Sequence, residues 1–423
     1  MEFETISVIG LGYIGLPTAA AFASRRKKVI GVDVNQYAID TINRGEIHII
    51  EPELDIAVHS TVTGGYLRAT NTPEPADAFL IAVPTPFLED HQPDLSYIRS
   101  ASKMIAPVLK AGDLVILEST SPVGATEQMA AWLAEARPDL TFPQQKGEDS
   151  DIRVAHCPER VLPGRVMHEL ITNDRVIGGM TPKCSAYASA LYKIFVQGEC
   201  VITNSRTAEM CKLTENASRD VSIAFANELS IICEKLDINV WELINLANRH
   251  PRVNILQPGP GVGGHCIAVD PWFIISNSPD DARLMHTARN INDYKPSWVV
   301  ERVKLAVADL LTTNPNRTAS EITIACFGLA FKANIDDLRE SPAVDITLSL
   351  AKTHPSMIIA VEPNIDKLPE KLTDKNIVLG SAGDAIAKAD ILVLLVDHKL
   401  FKDMKITAQS GKKIIDTRGI WLN

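Results

Sequence analysis

Three glycines near the amino terminus constrain the fold more than any other feature of the chain. Gly10, Gly12 and Gly15 form the pattern G-x-G-x-x-G between an apolar run, residues 6–9, and an alanine-rich helical segment, residues 16–24. Between a strand and a helix, such glycines allow a tight turn and a close approach of the backbone to a pyrophosphate. The first amides of the helix are then free to bind phosphate. The context predicts a dinucleotide site rather than a purely structural turn.

Asp33 narrows the choice of dinucleotide. It closes the second apolar run, residues 29–32, and follows the glycine pattern at the spacing of about 20 residues that is typical of dinucleotide sites. A carboxylate at this position accepts hydrogen bonds from the ribose hydroxyls and repels a 2′-phosphate. We therefore expect NAD rather than NADP.

Apolar runs alternate with helical segments in the first part of the chain and again in the last part. Uninterrupted apolar strands between helices predict parallel sheets that are covered on both faces. The strand-like runs are residues 6–9, 29–32, 79–83 and 114–117, and later 322–327, 357–361, 391–396 and 413–415.

The middle of the chain has a different pattern. Residues 204–247 contain no proline and show helical periodicity, which predicts a long helix over about 205–235 and a shorter one from Val240. A further helix is expected over 297–311, followed by a linker at 312–320. We predict an α/β protein with two Rossmann-like parallel-sheet domains joined by a central long-helix region, with boundaries at 1–203, 204–312 and 313–423.

Length and composition agree with this organisation. At about 150 residues per domain, 423 residues suggest roughly three domains, and 46% hydrophobic residues indicate a globular protein. A net charge of −10 disfavours nucleic-acid binding through bulk charge. Seven scattered cysteines without a C-x-x-C pair favour a reducing compartment. With no signal peptide and no apolar run long enough to cross a bilayer, we expect a cytoplasmic protein that does not contact membranes.

A second glycine-rich string, Gly259-Pro-Gly-Val-Gly-Gly-His-Cys266, indicates the chemistry. Its bare backbone can approach a ligand closely. Cys266 at the end of the string is a candidate nucleophile, with an inert buried thiol as the alternative, and Asp270 follows four residues later. Apart from the adjacent His265, no cysteine or histidine stands at ligand spacing, so no metal site is expected.

Polar residues on the long helix and after two strands are further candidates for contacts with cofactor or substrate. Lys212, Asn216 and Arg219 share one side of the helix, where they could stabilise an oxyanion or hold a phosphate; a solvated helix face is the alternative. Ser121 is expected to cap a helix that begins at Pro122. Three threonines after strands could contact cofactor or substrate, or serve only as turn residues: Thr85, Thr120 and Thr126.

Taken together, the strings resemble the nucleotide-sugar dehydrogenases, the UDP-glucose/UDP-N-acetylmannosamine 6-dehydrogenases. The resemblance covers essentially the whole chain, in the order GLGYIG, AEMCKLTEN, GPGVGGHCIAVDP and FK…RES. GGHCIAVDPW and CPERVLPG are similar to the N-acetylmannosamine branch. The resemblance implies an NAD-binding domain, a central helix that forms a homodimer, and a C-terminal UDP-sugar domain.

The implied reaction oxidises the C6 alcohol of UDP-N-acetyl-D-mannosamine to a carboxylate with two NAD. Its product would be a precursor for a surface polysaccharide such as enterobacterial common antigen. Cys266 would add to the C6 aldehyde as a thiohemiacetal and later form a thioester. Lys212 and Asn216 would flank the C6 oxygen, Asp270 matches the family's aspartate near the cysteine, and Glu159 matches an acid that steers water.

The resemblance also implies binding roles. NAD contacts are expected at the three glycines of the first string and at Tyr13, Ile14, Asp33, Thr85, Thr126 and Arg339. Substrate contacts are expected at Arg160, Val161, Lys212, Asn216, Gly263 and Lys332, with Arg219, His250 and Arg252 as anchors for the diphosphate or the sugar.

The sequence also allows other functions. The same reaction could use UDP-GlcNAc or UDP-glucose, because no motif reads the stereochemistry at C2. A two-electron β-hydroxyacid dehydrogenase would share the first domain and a helix lysine, but it would not need Cys266. A non-catalytic NAD-sensing protein would have no use for Lys212, Asn216 and Cys266 together.

Overall fold

The computed structural model describes residues 2–89, 91–162, 164–373, 375–404, 406 and 411–421, and of His265 only the backbone. The chain divides into two compact units, Met1–Glu215 and Asn216–Asn423. Within the described residues, no helix is both long and apolar enough to cross a membrane.

The first unit alternates strands and helices. Its elements in chain order are β1 (Thr5–Ile9), α1 (Gly15–Ser24), β2 (Lys28–Val32), α2 (Gln36–Asn43), α3 (Leu54–Thr63), β3 (Leu67–Thr70), β4 (Ala78–Ile81), α4 (Ser96–Ile105), β5 (Leu114–Leu117), α5 (Ala125–Ala136), α6 (Pro143–Lys146), β6 (Arg153–His156), α7 (Val166–Thr172), β7 (Arg175–Gly179), α8 (Pro182–Tyr192) and β8 (Cys200–Asn204). The long helix α9 (Ser205–Lys235) continues from the first unit into the second.

The second unit begins with helices and ends with a smaller α/β part. Its elements after α9 are α10 (Val240–Ala247), α11 (His265–Asn277), α12 (Arg283–Thr313), β9 (Ile324–Phe327), α13 (Pro342–Thr353), β10 (Ile358–Val361), β11 (Ile377–Leu379), α14 (Ala382–Lys388), β12 (Ile391–Leu394), α15 (Lys399–Lys402) and β13 (Lys413–Asp416).

Among the described residues, the first unit forms an eight-stranded sheet in the order β3-β2-β1-β4-β5-β6-β7-β8. The strands run parallel except that β7 is antiparallel to β6. Apolar clusters cover both faces, because successive residues of a strand point to opposite sides. The carboxyl ends of β1, β4 and β5 therefore share one edge, where ligands of such sheets bind.

The sheet of the second unit has the order β11-β10-β9-β12-β13, and all its pairs are parallel. The central strand β9, IACF, is completely buried between two apolar clusters, one on each face. The predicted fold class, two Rossmann-like parallel sheets with a central helical region, is confirmed; the reversal between β6 and β7 was not predicted.

Helix α12 corrects one predicted boundary. The predicted helix starts at Ser297, directly after Pro296, and a proline disfavours a helix interior by about 3 kcal/mol because it removes a backbone donor. The helix instead begins at Arg283 and continues through Pro296. Buried side chains on both sides of the proline stabilise it, among them Ala288 and Val299.

Candidate active site

The glycine loop after β1 leaves space where a pyrophosphate would bind. A Cβ on Gly10, which has φ +91°, would lie 2.6 Å from the carbonyl oxygen of Ala82, and one on Gly15 would overlap the Gly10 oxygen. At Gly12, by contrast, no described atom lies within 4 Å of a Cβ position. The first and third glycines therefore serve packing, whereas the second leaves its backbone open in front of α1, which suits a bound dinucleotide.

Asp33 is fixed beside this loop. Its Oδ2 accepts a hydrogen bond from the Leu11 amide at 2.8 Å, and its Oδ1 accepts one from the Asn35 amide at 2.8 Å. Each carboxylate oxygen can accept a further bond, and the side chain is only half-buried. The residues present thus fit the ribose of NAD. Tyr13 is 41% exposed in the loop, and Thr85 is buried just beyond β4.

The start of α5 differs from the prediction. The helix begins at Ala125, so Gly124, with φ +99°, occupies the N-cap position instead of Ser121. The Ser121 hydroxyl donates to the carbonyl of Ser119. The capping acceptor is Glu209 of α9, completely buried, which the sequence analysis missed.

Glu209 accepts three hydrogen bonds at this helix end. They come from the Gly124 amide at 2.7 Å, the Thr126 amide at 2.7 Å and the Thr126 hydroxyl at 2.6 Å. Burial raises the pKa of Glu209, although these bonds oppose the rise. The Thr126 hydroxyl is thereby directed at Glu209 in this structure. An acid among the apolar residues of AEMCKL was the one available signal in the sequence.

Glu159 lies in a buried polar cluster beyond β6. Its Oε2 is 3.0 Å from Nη1 of Arg175, and its Oε1 accepts from the Arg160 amide at 2.7 Å. Nearby, the Tyr192 hydroxyl donates to Oε1 of Glu118 at 2.5 Å. Burial raises the pKa of Glu118 to about 7, despite the opposing charge of Arg175. The positive charge of Arg175 thus acts on two buried acids, Glu118 and Glu159. The ion pair with Arg175 also orients the carboxylate of Glu159.

Three further predicted residues of the first unit are half-buried. Arg160 forms an ion pair with Glu215, Nη2 to Oε1 at 2.6 Å, and the adjacent Val161 is half-buried. Lys212 is half-buried on α9, four residues before Asn216 on the same helix.

In the second unit, the structure brings Asn216 and Asp270 together. Nδ2 of Asn216 donates to Oδ2 of Asp270 at 2.5 Å, and Asp270 is 4% exposed. Cys266 and Asp270 are four residues apart on α11 and therefore share one side of that helix.

Cys266 is exposed and occupies the second position of α11, rather than the end of a loop as the sequence suggested. The partial positive charge of a helix amino terminus stabilises a thiolate. By contrast, burial raises the pKa of both Cys157 and Cys326 to about 12. The environment of Cys266 suits a nucleophile, and the environments of the other two suit inert thiols.

The glycines before Cys266 pack against protein atoms. A Cβ on Gly263 would lie 2.6 Å from Cδ of Pro342 and 2.9 Å from Cβ of Phe331. A Cβ on Gly264, which has φ +80°, would lie 2.9 Å from the Phe331 ring. The bare backbone thus lets the loop lie directly on Phe331, the residue before Lys332, a role that the sequence analysis did not anticipate.

The other predicted ligands of the second unit have exposed side chains. Arg219 projects from α9, and Lys332 lies in the loop after β9. His250 and Arg252 follow α10, where the Arg252 amide donates to Nδ1 of His250 at 3.3 Å. Arg339 forms an ion pair with Asp337 at 2.6 Å.

Comparison with known proteins gives matches along the whole chain. Three models of the UDP-glucose/GDP-mannose dehydrogenase family match in succession: the NAD binding domain over residues 4–196, the central domain over 206–294 and the UDP binding domain over 325–423.

Individual relatives are similar over their full length. The chain is 70% identical over 421 residues to UDP-N-acetyl-D-mannosamine dehydrogenase of Yersinia pestis, with 100% of both chains covered. It is 63% identical over 421 residues to NDP-N-acetyl-D-galactosaminuronic acid dehydrogenase of Ralstonia nicotianae, with 100% of this chain and 97% of that one covered. The solved structure of UDP-D-ManNAc dehydrogenase from Pyrococcus horikoshii has a TM-score of 0.85 at 39% identity, covering 98% of this chain and 96% of that one.

Proposed function

Because the chain belongs to the UDP-glucose/GDP-mannose dehydrogenase family, we propose that it oxidises the C6 alcohol of UDP-N-acetyl-D-mannosamine to the carboxylate, with two NAD reduced per sugar. The observation that carries the reaction type is Cys266 at the amino end of α11, on the same helix side as Asp270, which holds Asn216. The choice of sugar rests on the full-length similarity to dehydrogenases named for it.

Cys266 is the nucleophile of the proposal. An aldehyde at C6 would hydrate or leave the site in water, and covalent addition of the thiolate prevents both. The thiohemiacetal is then oxidised to a thioester, which water hydrolyses to the acid. NAD, when bound, supplies the acceptor for the hydride in each oxidation.

Two residues of α9 act on the C6 oxygen. We assign Lys212 as the proton donor and acceptor, and Asn216 as a donor that stabilises the oxyanion. Asp270 accepts one N–H of the Asn216 amide, which fixes the plane of the amide and leaves its second N–H for the oxyanion. Glu159, held by Arg175, orients the water for hydrolysis.

The binding groups follow the same assignment. We propose that NAD is held by the loop of Gly10, Gly12, Tyr13, Ile14 and Gly15, by Asp33 and by Arg339, with Thr85 and Thr126 as further contacts. The UDP-sugar is bound by Arg160, Val161, Gly263, Lys332 and the α9 residues, with Arg219, His250 and Arg252 as anionic-group anchors. The match to a UDP binding domain over 325–423 supports this assignment over a β-hydroxyacid dehydrogenase.

We also propose a homodimer that forms through α9. Phe225, Ile232 and Leu236 are 51%, 44% and 62% exposed. Phe225 and Ile232, which are seven residues apart, lie on one face of α9, and Leu236 directly follows the last residue of the helix. Phe225→Glu is expected to convert a dimer to monomers in light scattering, and an unchanged mass would contradict this interface.

The proposed enzyme has three parts, residues 1–203, 204–312 and 313–423, and works in the cytoplasm. All seven cysteines are thiols in the structure, which agrees with a reducing compartment. Its product, a nucleotide-linked uronate, would be used by a glycosyl transfer that builds a surface polysaccharide such as enterobacterial common antigen.

The sugar is tested by a side-by-side comparison. The purified protein is supplied with NAD and, separately, with UDP-ManNAc, UDP-GlcNAc, UDP-GalNAc or UDP-glucose, and NADH formation is followed. We expect the highest kcat/KM for UDP-ManNAc. A higher value for UDP-GalNAc would instead favour the activity for which the Ralstonia relative is named.

A further inference from the structure

Glu362 and His398 lie beneath the loop that carries Lys332. Glu362 directly follows β10, and the loop directly follows the neighbouring central strand β9. The two side chains are 5% and 1% exposed. Neither has a part in the proposed reaction, and neither stood out in the sequence.

The carboxylate of Glu362 binds the first part of the loop. Its Oε2 accepts from the amide of Leu329 at 2.7 Å and from the amide of Ala330 at 3.0 Å. Burial would raise the pKa of Glu362, but hydrogen bonds from His398 and these amides outweigh burial and lower it. An ionised, fully hydrogen-bonded carboxylate therefore fixes the backbone two residues before Lys332.

His398 binds the second part of the loop. Its Nδ1 lies 2.9 Å from the amide of Asn334, which can only donate, so Nδ1 must be the acceptor. The neutral ring then carries its proton on Nε2 and donates it to Oε2 of Glu362 at 3.0 Å. Asn334 has φ +63°, and its Oδ1 accepts from the Lys399 amide at 2.8 Å.

Lys332 thus lies between two fixed points, Ala330 and Asn334, and is itself exposed. A cation that is already in place when its ligand arrives loses less conformational entropy on binding. We propose that Glu362 and His398 are positioning residues that shape the Lys332 loop for the diphosphate of the nucleotide and so set the affinity for the UDP-sugar. The inference rests on the proposed function, which makes Lys332 a ligand of the UDP-sugar, and the positive charge of Lys332 suits the diphosphate of that ligand.

The first unit provides a structural parallel. There Asp33, at the end of the strand beside β1, accepts the amide of Leu11 in the loop after β1. Asp33 is half-buried and retains room for a ligand, whereas Glu362 is buried and its Oε2 alone has three donors. An acid at the same place in each sheet thus leaves room for a ligand in the first unit and binds protein groups in the second.

The test measures binding of UDP itself by calorimetry and, separately, steady-state kinetics with the UDP-sugar. His398→Ala is expected to raise the Kd of UDP and the KM of the sugar nucleotide about tenfold, which corresponds to the loss of roughly one hydrogen bond that orders the loop. The kcat is expected to change less than about twofold. His398→Asn, which returns an amide oxygen near the position of Nδ1, is expected to restore most of the affinity.

His354→Ala is the matched control. His354 is also a buried histidine of this unit, but it bonds to the Ile322 carbonyl at 2.7 Å, ahead of the amino end of β9. We expect it to lower Tm and leave the Kd of UDP unchanged. If His398→Ala does not fold, Glu362→Gln tests the same inference. Glutamine keeps the shape of the glutamate side chain but turns an N–H group toward groups that can only donate, such as the amides of Leu329 and Ala330.

Equal UDP affinity in wild type, His398→Ala and Glu362→Gln would overturn the inference. So would a kcat loss without a change in KM, because positioning of a binding loop acts on affinity. Wild-type protein that binds UDP but oxidises no UDP-sugar would overturn the proposed function alone, and the UDP titrations would still decide the role of His398.

Discussion

Nδ2 of Asn216 donates a hydrogen bond to Oδ2 of Asp270 at 2.5 Å. The two residues are 54 positions apart in the chain and lie on different helices, α9 and α11. An amide side chain can be flipped, but a carboxylate accepts only from its nitrogen. The bond therefore determines which atoms of Asn216 remain available to a reacting oxygen.

Asn216→Asp tests this relationship directly. Two carboxylates at this distance must share a proton, since like charges raise one of the two pKa values, and the oxyanion loses its donor. We expect kcat to fall at least about 100-fold, as when an oxyanion-hole donor is removed. Ser218→Asp adds the same charge at an exposed position of the same helix and should leave kcat unchanged. A kcat within about threefold of wild type for Asn216→Asp would remove the residue from the mechanism.

Thiol labelling tests the environment of Cys266. We expect limiting iodoacetamide at pH 7 to modify Cys266 first, because it is exposed at a helix amino terminus. Cys157 and Cys326 should stay unmodified until the protein unfolds, since both are buried. Peptide mapping by mass spectrometry reads the order. Labelling of Cys200 or Cys211 ahead of Cys266 would argue against an activated thiol.

Asp33→Asn separates two roles of one side chain. The amide keeps an oxygen for the Leu11 amide but removes the charge that disfavours a 2′-phosphate. We expect KM for NAD to rise about tenfold and the ratio of NADP to NAD turnover to increase. Steady-state kinetics with both dinucleotides gives the answer. An unchanged ratio would show that Asp33 does not face the ribose.

Glu118 should make stability depend on pH. Burial raises its pKa from 4.5 to about 7, so its favourable contribution is complete below pH 4.5 and is lost as pH rises through 7. The loss amounts to about 3 kcal/mol at most, because each pKa unit corresponds to about 1.4 kcal/mol. As the pH is raised from 5 to 8, the Tm of Glu118→Gln should therefore increase relative to that of the wild type. The Tm of Glu148→Gln, a variant at an exposed position, should not. A Tm difference for Glu118→Gln that is constant across this pH range would contradict the assignment.

Local patterns in the sequence predicted local structure well. The glycine loop with Asp33 follows from spacing alone, and helix α9 has the predicted bounds, because one apolar period continues along it without proline. The same reasoning failed at the start of α12, predicted at Ser297, and at Ser121. At Pro296, buried packing on both sides stabilises the helix. At Ser121, an acceptor from a distant helix replaces the local cap.

Contacts between distant segments could not be predicted in this way. Tyr192 and Glu118 are 74 positions apart, and His398 and Glu362 are 36 apart. Neither pair has a sequence pattern, since each forms only after the fold has brought distant elements together: Tyr192 ends helix α8 and Glu118 follows β5, while Glu362 follows β10 and His398 lies beyond β12. The glycines before Cys266 form a recognisable pattern in the sequence, but their contact with Phe331 depends on the second sheet.

The stoichiometry of NADH formation tests the central claim most directly. A limiting, weighed amount of UDP-ManNAc is oxidised to completion with excess NAD. The amount of NADH formed per sugar is measured by absorbance, and the product is identified by mass spectrometry. Cys266→Ser and the half-buried Cys200→Ser are run as a pair, and only the former should lose complete turnover. The account predicts two NADH per sugar and a C6 carboxylate; one NADH per sugar with an aldehyde or ketone product would contradict it.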